Sequence, residues 1–165
     1  MKVRDIMNKN ARFCRLRDTL AHVVNAMWEG DCGLLPIVDK ADRVAGVITD
    51  RDVALAAWRK DRAPADIRVD ELPFATLHAC APTDEVDDAI RIMQQARVRR
   101  LPVIDENERL VGIISMNDLA FHAREATERK DGLTADKVVN TLKAICSPRK
   151  LKHATKRPAL APHAR

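Results

Sequence analysis

Two short stretches carry the side chains best placed for chemistry: Gly46-Val47-Ile48-Thr49-Asp50-Arg51-Asp52 and Gly112-Ile113-Ile114-Ser115-Met116-Asn117-Asp118. In each, a hydroxyl stands three residues ahead of a carboxylate. That is the spacing of a capping box, in which the two side chains satisfy helix-end amides and no ligand is required. A strand-to-helix corner of this kind also presents unpaired N-terminal amides, which favour a phosphate. Arg51 lies in the first helical turn of the first corner, where a guanidinium can take a phosphate bidentately, whereas Asn117 stands there in the second. Arg97, Arg99 and Arg100 precede Leu101 and admit two readings, donors to a phosphate or a solvated positive edge.

Other chemistry finds little to work with. The chain has two serines, Ser115 and Ser147, and five glycines, with no GxSxG, P-loop or GxGxxG pattern. Its histidines (His22, His78, His122, His153 and His163) are scattered, with no HExxH. The sequence therefore points away from catalysis. Cys14, Cys32, Cys80 and Cys146 include no CxxC pair, so neither a disulfide framework nor a tetrahedral zinc site is expected. Cys14 and Cys80, with His78 two residues away, form the one outside candidate for a metal or redox site; a thiol at a strand position is ordinarily a small hydrophobe.

These residues recur because the chain repeats itself. At an offset of 66, residues 1–57 align with 67–123 without a gap and with 13 identities, the mark of a duplication. Asp18 and Asp84 read as N-caps, followed by Leu20, Val23, Val24, Met27 and by Val86, Ala89, Ile90, Met93 at amphipathic helical spacing. Two apolar runs separated by turn-rich DKADR or DENER then predict two strands, and a helix follows over about Asp50–Lys60 and Met116–Thr127. With short strands near Phe13–Leu16 and Leu77–Cys80, each unit reads β-α-β-β-α. The fold class is α/β, two such repeats packed with pseudo-twofold symmetry around one shared core. The expected divisions are repeat one over 1–62, repeat two over 63–127, a C-terminal helix over 128–146 and a basic, disordered tail over 147–165. Thr134 caps that helix, Leu133 staples onto Val138, and Val138, Val139, Leu142, Ile145 and Cys146 form its apolar face.

Charge separates the tail from the rest. Of 29 Lys and Arg, six fall in the last 19 residues, which hold no acid; the remainder has 23 basic against 24 acidic residues. The body is thus no polyanion binder by bulk charge, and it has five aromatics with which to stack bases. Trp28 and Trp58 read as core or subunit contacts. The tail reads as a solvated extension or a weak, salt-sensitive contact for nucleic acid. No apolar run approaches the roughly 18 residues of a membrane span, and no signal-type stretch opens the chain, so a cytoplasmic protein is expected.

With the upstream Leu-Pro-apolar-apolar-Asp (Leu35-Pro36-Ile37-Val38-Asp39 and Leu101-Pro102-Val103-Ile104-Asp105), the two Gly-x-x-Thr/Ser-x-x-Asp corners resemble the CBS domain in tandem, a Bateman module of the stand-alone bacterial type. The resemblance covers residues 1 to about 125. It implies an adenine nucleotide (AMP, ADP or ATP), or else NAD or S-adenosylmethionine, in the clefts between the copies. It also implies a flat homodimer through the helical faces and a regulatory role toward some other protein. On that expectation Asp52 and Asp118 hold the ribose diol. Thr49 and Ser115 add hydroxyls, Arg51 pairs with phosphate, Asn117 takes the place of Arg51 among the ligand-binding residues of the second copy, and Arg99 and Arg100 join them where their phosphate-donor reading holds. Pro36 and Pro102 interrupt sheet pairing, so that backbone near Leu35, Ile37, Leu101 and Val103 reads the adenine edge. A ligand-free interaction module, acting through its helices and basic tail, is the alternative. One departure stands out: Asp5-Ile6-Met7 becomes Glu71-Leu72-Pro73 in the second copy, altering the rim of one cleft.

Overall fold

A computed structural model of the protein describes residues 1–74, 76–123 and 132–148; the basic stretch from residue 149 onward lies outside them. Repeat one consists of β1 (Cys14–Arg15), α1 (Leu20–Glu29), β2 (Leu34–Val38), β3 (Val44–Thr49) and α2 (Asp50–Lys60). Repeat two consists of α3 (Val86–Ala96), β4 (Arg100–Ile104), β5 (Leu110–Ser115) and α4 (Met116–His122), and α5 (Ala135–Cys146) follows. The hairpins β2–β3 and β4–β5 are antiparallel, and β1 joins β2 in parallel through Cys14 and Ile37. In repeat two the expected opening strand shrinks to one parallel bridge, Cys80 with Val103. The two bridges are related by the 66-residue offset.

Local chemistry moves two expected caps by one residue. Thr19 caps α1, its hydroxyl accepting from the His22 N–H at 3.3 Å, and Glu85 occupies the N-cap position of α3. Asp18 and Asp84 instead accept from the N–H of Arg15 and of Ala81, both at 2.8 Å. Their carboxylates close the turn that leads into each helix, which commits them before the helix begins. The prolines do not interrupt the sheet either. Pro36 pairs with Val47 and Pro102 with Ile113 in unbroken register, and the irregularity falls after Ile37 and Val103.

The described residues form two cores rather than one shared core, and each is completed by the other repeat's opening segment. Val3 and Ile6 are buried with Val86, Ile90, Met93, Leu101, Ile114 and Leu119 of repeat two. Ile67 and Val69 are buried with Leu20, Val23, Met27, Leu35 and Ile48 of repeat one. Backbone bonds fasten the exchange, Val3 N–H to the Asp84 carbonyl and Val69 N–H to the Asp18 carbonyl, both at 2.9 Å. Two units too small to finish a core alone thereby interlock.

Helix α5 packs against α3 and α4. Leu133 is buried, Val138 and Ile145 pack on the core of repeat two, and Thr141 is fully buried; Val139 and Leu142 point to solvent, so the apolar stripe is narrower than expected. The Gln94 Nε2 donates to Thr141 Oγ1 at 3.0 Å, and Lys137 pairs with Asp87 at 2.8 Å. Repeat one has no such cover among the described residues. Accordingly Val24 is 45% exposed, while its counterpart Ile90 is 4% exposed. Helix α4 stops at His122 because Ala123 is extended (φ −70°, ψ 140°); residues 124–127 of the expected helix lie outside the described residues.

Candidate functional site

Both strand-to-helix corners form the capping boxes that their spacing dictates. The Thr49 hydroxyl donates to Asp52 Oδ2 at 2.6 Å, the Thr49 N–H donates to the same oxygen at 2.9 Å, and the Asp52 N–H returns to Thr49 Oγ1 at 3.2 Å. Ser115 and Asp118 repeat this with distances of 2.6, 2.7 and 3.3 Å. In each carboxylate a single oxygen, Oδ2, carries the cap. Oδ1 has no partner among the described residues, leaving an acceptor available at the mouth of the helix.

Each corner opens on a cavity between the repeats. The larger, about 790 Å³, is lined by Thr49, Arg51, Asp52, Arg99, Arg100 and Pro102 of the expected residues, and also by Asp50, Arg97, His78, Phe74 and Ile145. The smaller, about 260 Å³, is lined by Ser115, Asn117, Asp118 and Arg100, with Asn8, Arg12 and Asp31. Small-molecule sites commonly occupy roughly 300–1,000 Å³, a range that takes in the first cavity and stands just above the second. Leu35, Ile37, Leu101 and Val103 are fully buried and line neither cavity; Pro36 is buried and lines neither. Pleat alternation and the burial of β2 and β4 take Leu35, Ile37, Leu101 and Val103 into the cores, a fate that an apolar run alone does not distinguish from a cleft wall.

The difference in size has a cause in the sequence. Around the smaller cavity, Asn8 and Ile113 exchange two backbone hydrogen bonds of 2.9 Å, drawing the opening segment onto β5, and Met7 donates its N–H to the Val3 carbonyl at 2.9 Å. The counterpart of Met7 is Pro73, which has no N–H to continue that turn. Among the described residues no bridge joins Phe74 to Val47, and Phe74 instead packs against Gly46, 3.5 Å from where a Cβ would stand. The altered rim is the wider one.

The segment bounding the larger cavity is fastened by Glu71. It accepts from the Arg68 N–H at 2.9 Å and pairs with Lys60 at 3.2 Å and Arg62 at 2.8 Å. The Arg68 amide first, then Lys60 and Arg62, hold its carboxyl down to about 2. Sequence reasoning missed Phe74 and Ile145 as cavity residues, Ile145 being visible only as part of an apolar stripe. Arg97, one of the three arginines with two open readings, lines the larger cavity with Arg99 and Arg100.

Cys14 and Cys80 lie in separate cores, where burial first, and then Asp18 or Asp84, pushes each thiol up to about 12. Such thiols are protonated hydrophobes at neutral pH. Among the described residues no group of three or more His, Cys, Asp or Glu side chains converges to hold a metal ion, and no helix is long and apolar enough to cross a membrane.

The family model for the CBS domain matches residues 3–59 and 69–125. Hypoxic response protein 1 of Mycobacterium tuberculosis is 33% identical over 145 residues, covering 88% of this chain and 94% of that protein. A crystal structure of Hypoxic Response Protein I with two coordinated zinc ions superposes with a TM-score of 0.68 at 32% identity, covering 75% of this chain and all of the other. A putative signal-transduction protein with CBS domains from Burkholderia ambifaria superposes with a TM-score of 0.63 at 26% identity, covering 79% of this chain and 96% of the other. A CBS domain pair solved with 5-methylthioadenosine and S-adenosyl-L-methionine shares the fold, with a TM-score of 0.64 at 22% identity over 73% of this chain and 98% of that one.

Proposed function

The chain belongs to the CBS domain family, and from that premise we propose that it is a regulatory module that binds an adenosyl ligand between its repeats and catalyses nothing itself. The observation that carries this reading is the divided use of the two capping carboxylates. One oxygen of Asp52, and one of Asp118, closes the helix cap, the other has no partner among the described residues, and each residue lines an opening between the repeats. An acceptor held rigidly by its own cap suits the hydroxyls of a ribose. In the larger cavity the α2 N-terminus and Arg51 suit a phosphate beside it. A CBS pair of the same fold was solved with two adenosyl compounds, which supports the ligand class.

AMP, ADP and ATP are the preferred candidates, with NAD and S-adenosylmethionine next. The module works in the cytoplasm on an unidentified regulated protein, and it associates with a second copy through the exposed helical face of α1 and α2. Trp28, 85% exposed, and Trp58, 55% exposed, support that contact.

A thermal-shift screen of the full chain with AMP, ATP, NAD and S-adenosylmethionine tests the proposal. A ligand at 100 times its Kd stabilises by about 2.7 kcal/mol. A shift with at least one of them is expected. No shift with any would leave a ligand-free interaction module as the better account.

A further inference from the structure

Resting on that reading of the larger cavity, we infer that it selects ligands bearing two or more phosphates, one per chain, and that the smaller cavity lacks this selectivity. The two cavities are built from register-matched residues at the 66-residue offset, so each difference between them can be read position by position. Thr49 and Asp52 correspond to Ser115 and Asp118, and the sugar-facing part is common to both. The remainder is not. Arg51 faces Asn117 in this correspondence, Arg97 faces Asp31, and Arg99 faces Gly33. The larger cavity is lined by four arginines (Arg51, Arg97, Arg99 and Arg100) against Asp50 and Asp52. The smaller has Arg12 and Arg100 against Asp31 and Asp118, and Arg12 is already paired with Glu29 at 2.8 Å.

None of the four arginines has a carboxylate partner within 4 Å among the described residues; Arg12, Arg15, Arg43, Arg62, Arg68 and Arg91 do, while Arg4, Arg17, Arg59 and Arg109 also lack one but line no cavity shared with these four. Arg99 makes one weak contact, to Cys146 Sγ at 3.6 Å. Four like charges without partners crowd a single opening, an arrangement that favours an anion entering it. A monophosphate brings about two negative charges to four guanidiniums, whereas a chain of two or three phosphates brings about three or four, with acceptor oxygens spread along its length, and so neutralises more of them.

The backbone does not account for Arg97. Its φ is +55°, and its counterpart Asp31 takes the same left-handed conformation at +44°, so the turn belongs to the repeat and the guanidinium to repeat two alone. Glycine suits that conformation better than arginine does, and Gly33 already fills the position matching Arg99 in repeat one. Arg97→Gly with Arg99→Gly therefore removes charge without asking the fold for anything new.

Titration calorimetry of the full chain and of this double variant, with adenosine, AMP, ATP and inorganic tripolyphosphate, tests the inference. ATP is expected to bind one per chain and more tightly than AMP by at least about tenfold, the worth of one charge-assisted hydrogen bond. In the variant that gap closes, with adenosine affinity unchanged. Equal affinity for AMP and ATP, a gap that survives in the variant, or two equivalent ATP sites would overturn it. Tripolyphosphate binding that the variant abolishes, without nucleoside binding, would uphold the anion selectivity and sink the adenosyl reading. Binding of neither probe would sink both.

Discussion

Asp52 does two jobs with two oxygens, and substitutions can separate them. Asp52→Ala removes the carboxylate half of the capping box, leaving the Thr49 hydroxyl to accept from the backbone N–H of residue 52, and should cost about 1 kcal/mol, lowering the midpoint of thermal unfolding by roughly 2–4 °C in a chain of this size. Asp52→Asn keeps an acceptor for the cap and should melt within a degree or so of the parent. A melting curve for Asp52→Asn as depressed as that of Asp52→Ala would show the charge, not the oxygen, to be essential to the cap. Glu71 makes a second prediction at this scale. Its folded carboxyl titrates near 2 against an ordinary value of 4.5, so its contribution is fully present above pH 4.5 and drains away as pH falls toward 2. Glu71→Gln should show a shallower loss of stability across that window in urea titrations at stepped pH; identical slopes would contradict the role given to Lys60, Arg62 and the Arg68 amide. Thr49, Asp52, Ser115 and Asp118 were legible in the sequence because a capping box is local and needs only spacing and a following helix. Leu35, Ile37, Leu101 and Val103 were not legible as core residues, because a buried strand and a cleft wall share one apolar composition.

Elements were legible wherever one period runs long enough to show. All four repeat helices and both hairpins fall where periodicity and turn residues put them, with α4 ending at His122. What stayed hidden was the exchange of opening segments, since nothing local in Val3 or Ile67 says which repeat will bury it. That exchange predicts an effect across the boundary. Ile67 is fully buried among residues of repeat one, so Ile67→Ala should destabilise the fold by about 2–5 kcal/mol, and hydrogen exchange should quicken first in α1 and β2. Faster exchange confined to α3 and β4 would contradict the assignment. Pro73 belongs to the same lesson. The departure from Asp-Ile-Met was visible as a change of residue type, but its outcome, a wider cavity, depends on a backbone bond that Met7 makes and Pro73 cannot.

At the scale of the whole molecule the duplication was the strongest signal, and it made the paired architecture legible. The asymmetry laid over it was not. Helix α5 covers the helical face of repeat two, leaving the corresponding face of repeat one, with Val24, Trp28 and Trp58, open to solvent. The proposed dimer should therefore depend on repeat one. Trp28→Lys is expected to shift a dimer to monomer in sedimentation at tens of micromolar, while Leu142→Lys on α5 leaves it intact; the reverse pattern would move the interface to α5. Ligand recognition is the claim on which the rest depends, and titration of the full chain with ATP is its most direct test. The expected Kd lies between about 1 μM and 1 mM, weakened at least tenfold by Asp52→Asn although that variant keeps its fold. Absence of binding at millimolar ATP and the other adenosyl candidates, or an affinity indifferent to Asp52, would contradict it.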